Sequence, residues 1–204
     1  MIPEPRTLCA ADCDAATSLL AEHFLAGSPL HRAQDLDARA WAERISADVQ
    51  RAARGECSIV VDAPDGTSLA GCLIGVDASE MYHAAGAEDD ASAVAALLAA
   101  LRARAPAPQP GLCFLIDMAV VAPHHAGAGL YTSMRKAAHE RAAAAGYRHA
   151  RGELSSVATQ RICIERFGHR VHAEIHYADF TYQGTRPFAH ITEPDAIRLV
   201  EGAI

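Results

Sequence analysis

Asp117 is the one charge in the apolar run Leu112-Cys113-Phe114-Leu115-Ile116-Asp117-Met118-Ala119-Val120-Val121. An unpaired carboxylate on a buried strand is costly and its pKa rises, which suits a general base, or an amine-binding carboxylate, near neutral pH. A structural aspartate, satisfied by backbone groups or a nearby arginine, gives the same sequence pattern. Ser155 and Ser156 close the next β-rich run. Read by position alone, they supply the N-cap of a helix starting at 157. Between these positions lies Val120-Val121-Ala122-Pro123-His124-His125-Ala126-Gly127-Ala128-Gly129-Leu130-Tyr131, a glycine loop joining a strand to a helix. Glycines there let backbone approach a ligand and leave the first helical N–H groups unpaired at the positive end of the helix dipole. That is an anion site suited to a pyrophosphate. A Rossmann loop belongs near a first strand, and this one lies past the chain's midpoint. A P-loop ends in G-K-[ST], which is absent. A purely structural glycine turn gives the same isolated G-x-G.

The surrounding pattern supplies elements to hold these groups. Ala15, Leu19, Leu20 and Phe24 fall at helical spacing over Asp12–Leu25, and Gly27-Ser28-Pro29 breaks that helix. Trp41, Ile45 and Val49 mark a second helix over Asp37–Ala53. Residues 58–61 and 68–76 read as strands of a hairpin turned by Pro64-Asp65-Gly66. Over 77–110 an acidic start (Glu88, Asp89, Asp90) precedes an Ala/Leu helix to about Arg104 and a proline-rich spacer, together read as a surface insertion. Then follow strand 112–121, helix 129–145, strand 149–154, helix 157–167 and strand 169–180. On the helix at 129–145, Leu130, Met134, Ala137 and Ala138 form the expected inner stripe, with Arg135, Lys136, His139 and Glu140 outward. In the last strand Val171, Ala173, Ile175 and Tyr177 share one face. Strands alternating with helices predict an α/β or α+β fold with helices on both faces of one sheet.

Bulk properties narrow the function. The 204 residues fit one domain, 1–204, around one core. A net charge of −7 argues against nucleic-acid binding and is compatible with a cationic substrate such as an amine. No run is long enough to span a membrane and the first residues lack the apolar core of a signal peptide, so a cytoplasmic protein is expected. Six scattered cysteines fit a reducing compartment, and no metal-ligand spacing occurs, so no metal is expected.

The loop resembles the acyl-CoA loop of the GNAT superfamily of N-acyltransferases. Val121, Pro123, Gly127, Gly129 and the aliphatic Leu130 carry the likeness. It continues through Glu165-Arg166-Phe167-Gly168-His169, Ile175-His176-Tyr177-Ala178-Asp179-Phe180 and Gln183-Gly184-Thr185-Arg186-Pro187-Phe188, where it is similar to the arylalkylamine and dopamine N-acetyltransferase branch. It covers about residues 112–200, and the earlier order of helices and hairpin fits loosely. The resemblance implies a GNAT fold, a mixed, mostly antiparallel sheet of six or seven strands splayed at the acyl-CoA site. It implies acetyl-CoA as acyl donor, bound by Val120, Val121, Ala126, Gly127, Ala128, Gly129, Leu130 and Tyr131, and a small primary amine as acceptor, with an arylalkylamine the leading class. Direct attack in a ternary complex, assisted by Asp117, is the implied reaction, and Ser155 and Ser156 fall where the dopamine-type branch has serines near the thiol, which makes Ser156 a candidate catalytic residue. A homodimer is left open. Three positions depart from the family pattern: Ala126 stands where Arg or Gln is usual, Ser28 where the dopamine-type branch has a glutamate base, and Ile164 where many members have a tyrosine acid. Weight therefore shifts to Asp117 or Glu22 as base and to Tyr131 or a water as acid. The same departures support the alternative of a non-catalytic acyl-CoA-binding domain, a sensor or scaffold.

Overall fold

In the computed structural model, which describes residues 4–33, 37–84 and 92–204, the chain opens with β1 (Arg6–Thr7) and α1 (Cys13–Leu19). A π turn, Leu20–Phe24, leads into α2 (Leu25–Gly27), followed by α3 (Pro29–Arg32) and α4 (Ala38–Ala52). The hairpin β2 (Ile59–Asp62) and β3 (Leu69–Asp77) precedes α5 (Ala78–Ala84) and α6 (Ala93–Arg102). Then come β4 (Cys113–Val121), α7 (Leu130–Ala144), β5 (His149–Leu154), α8 (Val157–Arg161) with a second π turn at Ile162–Arg166, β6 (Arg170–His176) and β7 (Ala196–Ala203). Local chemistry accounts for many of these limits. Asp37 caps α4 by accepting from the Ala40 N–H at 2.8 Å. In the hairpin turn Gly66 adopts φ +67° and Asp65 accepts from the Thr67 N–H at 2.9 Å. The acidic run Glu88-Asp89-Asp90, expected to open a helix, lies outside the described residues.

The seven strands form one sheet in the order β1-β2-β3-β4-β5-β7-β6, antiparallel throughout except for the β4–β5 pair. Stripes from α1, the π turn after it and α4 (Ala16, Leu20, Trp41, Ile45, Val49) pack with Cys72, Ile74, Met118 and Val120 on one face. Leu130, Met134, Ala138 and Ala142 of α7 pack with Ile59, Val61, Leu73, Phe114 and Ile116 on the other. The sheet matches the expected mixed, mostly antiparallel architecture with helices on both faces.

Three expectations are corrected. The last strand ends at His176 rather than 180, and β7, unread in the sequence, inserts between β5 and β6. A register shift between Val171 and Ala173 takes Val171 off the apolar face and leaves it exposed. The stretch 77–110 is more than a surface insertion. Leu97 and Leu101 of α6 are fully buried against Tyr177, Phe188, Ile197 and Leu199, and charges on β5 hold Tyr82, Arg102 and Pro106. Arg151 on β5 donates to the Tyr82 hydroxyl and the Pro106 carbonyl, and Arg102 of α6 pairs with Glu153 on β5.

Two irregularities of β4 prepare a site. Ile74 pairs with Met118 but Gly75 with Ile116, so Asp117 is the extra residue of a β-bulge. Phe114 and Ile116 therefore face α7, while Met118 and Val120 face α1 and α4. Pairing of β4 with β5 stops at Ile116–Gly152, and the two strands part beyond it. Gly75, opposite the bulge, has no room for a side chain: a Cβ there would lie 2.0 Å from Phe114 Cζ. Gly75→Ala is expected to displace the Phe114 ring and destabilise the fold by about 1–3 kcal/mol, read by denaturant unfolding.

Candidate active site

The gap between β4 and β5 opens into two cavities. On one side a groove of about 220 Å³ is lined by His23, Phe24, Gly27 and Ser28, by Ile116, Asp117 and Ala119–Val121, by Tyr131 and Arg135, and by Glu153–Ser156 and Thr159. On the other a cavity of about 460 Å³ lies under α4 and α6, walled by Phe24, His31, Trp41, Asp48, Leu98 and Arg102 among others. Phe24, Asp117, Glu153 and Ser155 line both. The π turn at Leu20–Phe24 ends at this junction, where Phe24 lines both cavities.

Asp117 sits at the junction, largely buried, and no described residue donates a hydrogen bond to its carboxylate. Burial pushes its carboxyl up to about 6, the nearby Glu153 charge adds to this, and Arg102 opposes it. Glu153 is itself in a bidentate ion pair: Arg102 Nε and Nη2 donate to its two carboxylate oxygens at 2.6 and 2.8 Å, with both side chains at most one-tenth exposed. The bulge thus presents a carboxyl poised near neutrality beside a buried ion pair. Glu22, the other candidate base, is exposed and lies 3.7 Å from His23 Nε2, outside both cavities' walls.

Ser156 caps α8, accepting from the Thr159 N–H at 3.2 Å and lying 2.8 Å from the Thr159 hydroxyl, while also lining the groove. Ser28, buried, lies 2.8 Å from His31 Nδ1. Burial, and then the Arg44 charge, holds His31 down at about 4, so it is neutral at physiological pH. The larger cavity carries an aromatic wall: Phe24 stacks on Trp41 with centroids 5.5 Å apart, and His31 meets Phe24 edge-on at 5.1 Å.

Val120, Val121 and Tyr131 line the groove, whereas Ala126, Gly127, Ala128 and Gly129 form an exposed loop above the start of α7. Leu130 turns its side chain into the core, leaving its backbone as the group it can offer. Gly127 and Gly129 hold φ +79° and +81°. Gly129 is the N-cap of α7 and provides no side-chain cap, so the first-turn N–H groups remain available to an anion. The loop therefore fits a pyrophosphate on backbone donors alone, as the alanine at 126 requires.

Sequence reading missed several residues of this region. Glu153 and Arg102 form a buried pair whose two charges act in opposite directions on Asp117; the signal was two charges, Arg151 and Glu153, at alternate positions of a central strand, which must find partners. Arg135, expected to point outward, is completely buried, and His139 is half-buried. Among the described residues no cluster of His, Cys, Asp and Glu is arranged to hold a metal ion, and no helix is long and apolar enough to cross a membrane.

No family model and no curated protein sequence matches the chain. Solved structures do. The C-terminal condensation domain of Ebony, in complex with β-alanyl-dopamine, superposes with a TM-score of 0.83 at 13% identity over 100% of both chains. Arylalkylamine N-acetyltransferase 2 from Aedes aegypti gives 0.80 at 18% identity over 98% of each. The Drosophila melanogaster polyamine N-acetyltransferase that forms N-acetylagmatine gives 0.74 at 16% identity, covering 98% of this chain and 99% of its own. The chain has the GNAT acetyltransferase fold. In this GNAT fold β4 is bulged at Asp117 and parts from β5 beyond Ile116, and the glycine loop joins β4 to α7. Identities this low carry the architecture alone, and the chemistry rests on the two cavities and Asp117.

Proposed function

We propose that this GNAT domain is an acetyl-CoA-dependent N-acetyltransferase acting on a small primary amine, with an arylalkylamine as the preferred acceptor. The observation that carries the reading is Asp117, placed on the bulge where an acyl-donor groove and an aromatic-walled acceptor cavity meet. The acyl donor lies in the groove with its pyrophosphate on the N–H groups at the start of α7 and its acyl end in the β4–β5 gap. The amine enters the larger cavity, its ring against Phe24 and Trp41. Asp117 takes the proton that the amine loses as it attacks the thioester carbon in a ternary complex. The backbone of β4 past Ile116 has no β5 partner and is free to support the carbonyl oxygen. The neighbours named for arylalkylamines and polyamines support an amine acceptor. All six cysteines are free, which fits a cytoplasmic setting.

Purified protein incubated with acetyl-CoA and a panel of arylalkylamines, diamines and amino acids is expected to release thiol fastest with an arylalkylamine. Absence of thiol release from every amine would overturn the enzyme reading. Tight CoA binding by calorimetry together with no thiol release would establish the second reading, a non-catalytic CoA-binding domain, which Ala126, Ser28 and Ile164 favour.

A further inference from the structure

A buried cluster beside the groove, on the α7 side of the sheet, carries a charge without a counter-ion. Arg135 is fully buried and lines the groove. Its Nη1 donates to the Tyr131 hydroxyl at 3.1 Å, its Nη2 lies 3.3 Å from His169 Nδ1, and its guanidinium carbon lies 5.5 Å from the centre of the Phe167 ring. Its Nε has no partner, and no carboxylate of the described residues lies within ion-pairing distance. Glu201, the acid near enough to act on His169, is held by Arg151 through Nε at 2.8 Å. His139 and His169 stack beside the guanidinium with centroids 5.5 Å apart. Burial, and then the Arg135 charge, hold them down at about 3 and about 4, so both are neutral. The cluster therefore holds one net positive charge in the interior. Such a charge is costly to keep unless an anion meets it.

Its position identifies the anion. Arg135 is five residues past Leu130, about 7–8 Å along the helix from the start of α7 where a pyrophosphate fits. The guanidinium lies against Gly152, whose Cβ, if present, would be 3.8 and 3.9 Å from Nη2 and Nη1. Gly152 is the last β5 residue paired with β4, opposite Ile116 and one residue from Asp117. The charge thus sits at the apex of the gap, on the face opposite the acceptor cavity. The anion that forms there during acyl transfer is the leaving sulfur.

We propose that Arg135, acting through the Tyr131 hydroxyl, forms the site that stabilises the departing thiolate of the acyl donor. The inference rests on the acetyltransferase reading above. As the C–N bond forms and the C–S bond breaks, the electron pair stays on sulfur and the amine proton goes to Asp117. Tyr131 keeps its proton, which burial holds firmly, and turns its O–H from the Cys163 sulfur, 3.6 Å away, to the thiolate. Arg135 donates to the same hydroxyl oxygen and strengthens that hydrogen bond. Here the arginine is a positioning residue, and the tyrosine is the group that touches the sulfur.

The test reads CoA itself and needs no acceptor. The thiol of protein-bound CoA is titrated by thiolate absorbance, with the complex of desulfo-CoA as blank to remove the protein's own thiols and tyrosines. In the wild type the bound thiol is expected to ionise about one pH unit or more below free CoA. That shift is expected to vanish in Tyr131→Phe and to shrink in Arg135→Met, while Arg135→Lys retains more of it than Arg135→Met. With an active acceptor, Arg135→Met should lower kcat by about 100-fold or more with KM for acetyl-CoA little changed. An identical bound-thiol pKa in wild type, Arg135→Met and Tyr131→Phe would overturn this inference alone. Failure of the wild type to bind CoA would overturn the acetyltransferase reading and this with it. Should Arg135→Met not fold, Tyr131→Phe, which keeps the ring, decides the matter.

Discussion

Replacing Asp117 with asparagine is expected to lower kcat/KM for amine acetylation by about 100- to 10,000-fold, the range for removal of a positioned general base. The wild-type rate should rise with pH through about 6 and level off above it, because the carboxyl must be ionised to accept the amine's proton. The variant should lose that limb of the profile. Stability should move the other way. The folded state holds the Asp117 proton more tightly than the unfolded chain, with the group raised from 3.8 to about 6, so wild-type stability falls as pH climbs between those values. Asparagine removes a buried carboxylate that gains no hydrogen bond. The variant is therefore expected to be more stable than wild type above pH 6, by about 1–3 kcal/mol, and no more stable below pH 4. Denaturant unfolding at pH 4 and pH 8, alongside the pH–rate profile, checks both halves. An Asp117→Asn enzyme with an unchanged acid limb would assign the base elsewhere.

The second large effect concerns the pair behind Asp117. Arg102 and Glu153 are buried together, so removing either partner leaves the other uncompensated and is expected to cost about 3–5 kcal/mol in unfolding experiments. The two substitutions should nevertheless pull the chemistry in opposite directions. Glu153→Gln deletes the negative charge that raises Asp117 and leaves the Arg102 charge that lowers it, so the acid limb should move to lower pH. Arg102→Met deletes the opposing charge, so the limb should move to higher pH. A general loss of folding would depress both activities without separating their pH profiles. Shifts in the same direction would refute the electrostatic role assigned to the pair.

Much of this protein was legible in local pattern. Helices over Asp12–Leu25 and Asp37–Ala53 follow from apolar spacing and from Asp37 and Gly27-Ser28-Pro29 as stops, and the hairpin follows from Pro64-Asp65-Gly66. Such signals act between residues close in sequence. The glycine loop was equally readable, since positive φ at 127 and 129 and an uncapped helix start are properties of the loop itself. Asp117 could be singled out because one charge in an apolar run is visible without knowing its neighbours.

Pairings between residues far apart were decided by the tertiary structure. The Ala/Leu helix at 93–102 reads as an exposed insertion until Arg102 meets Glu153, 51 residues away. Arg135 reads as solvent-facing until the helix docks over Gly152, whose missing side chain makes room for it. The bulge at Asp117 becomes evident when β3 is laid beside β4, because an extra residue is defined by its partner strand. Sequence alone determined which local elements form and which residue could be a base. The depth of that base's burial, its charged neighbours and the cavities it joins are long-range packing, decided by the folded chain as a whole.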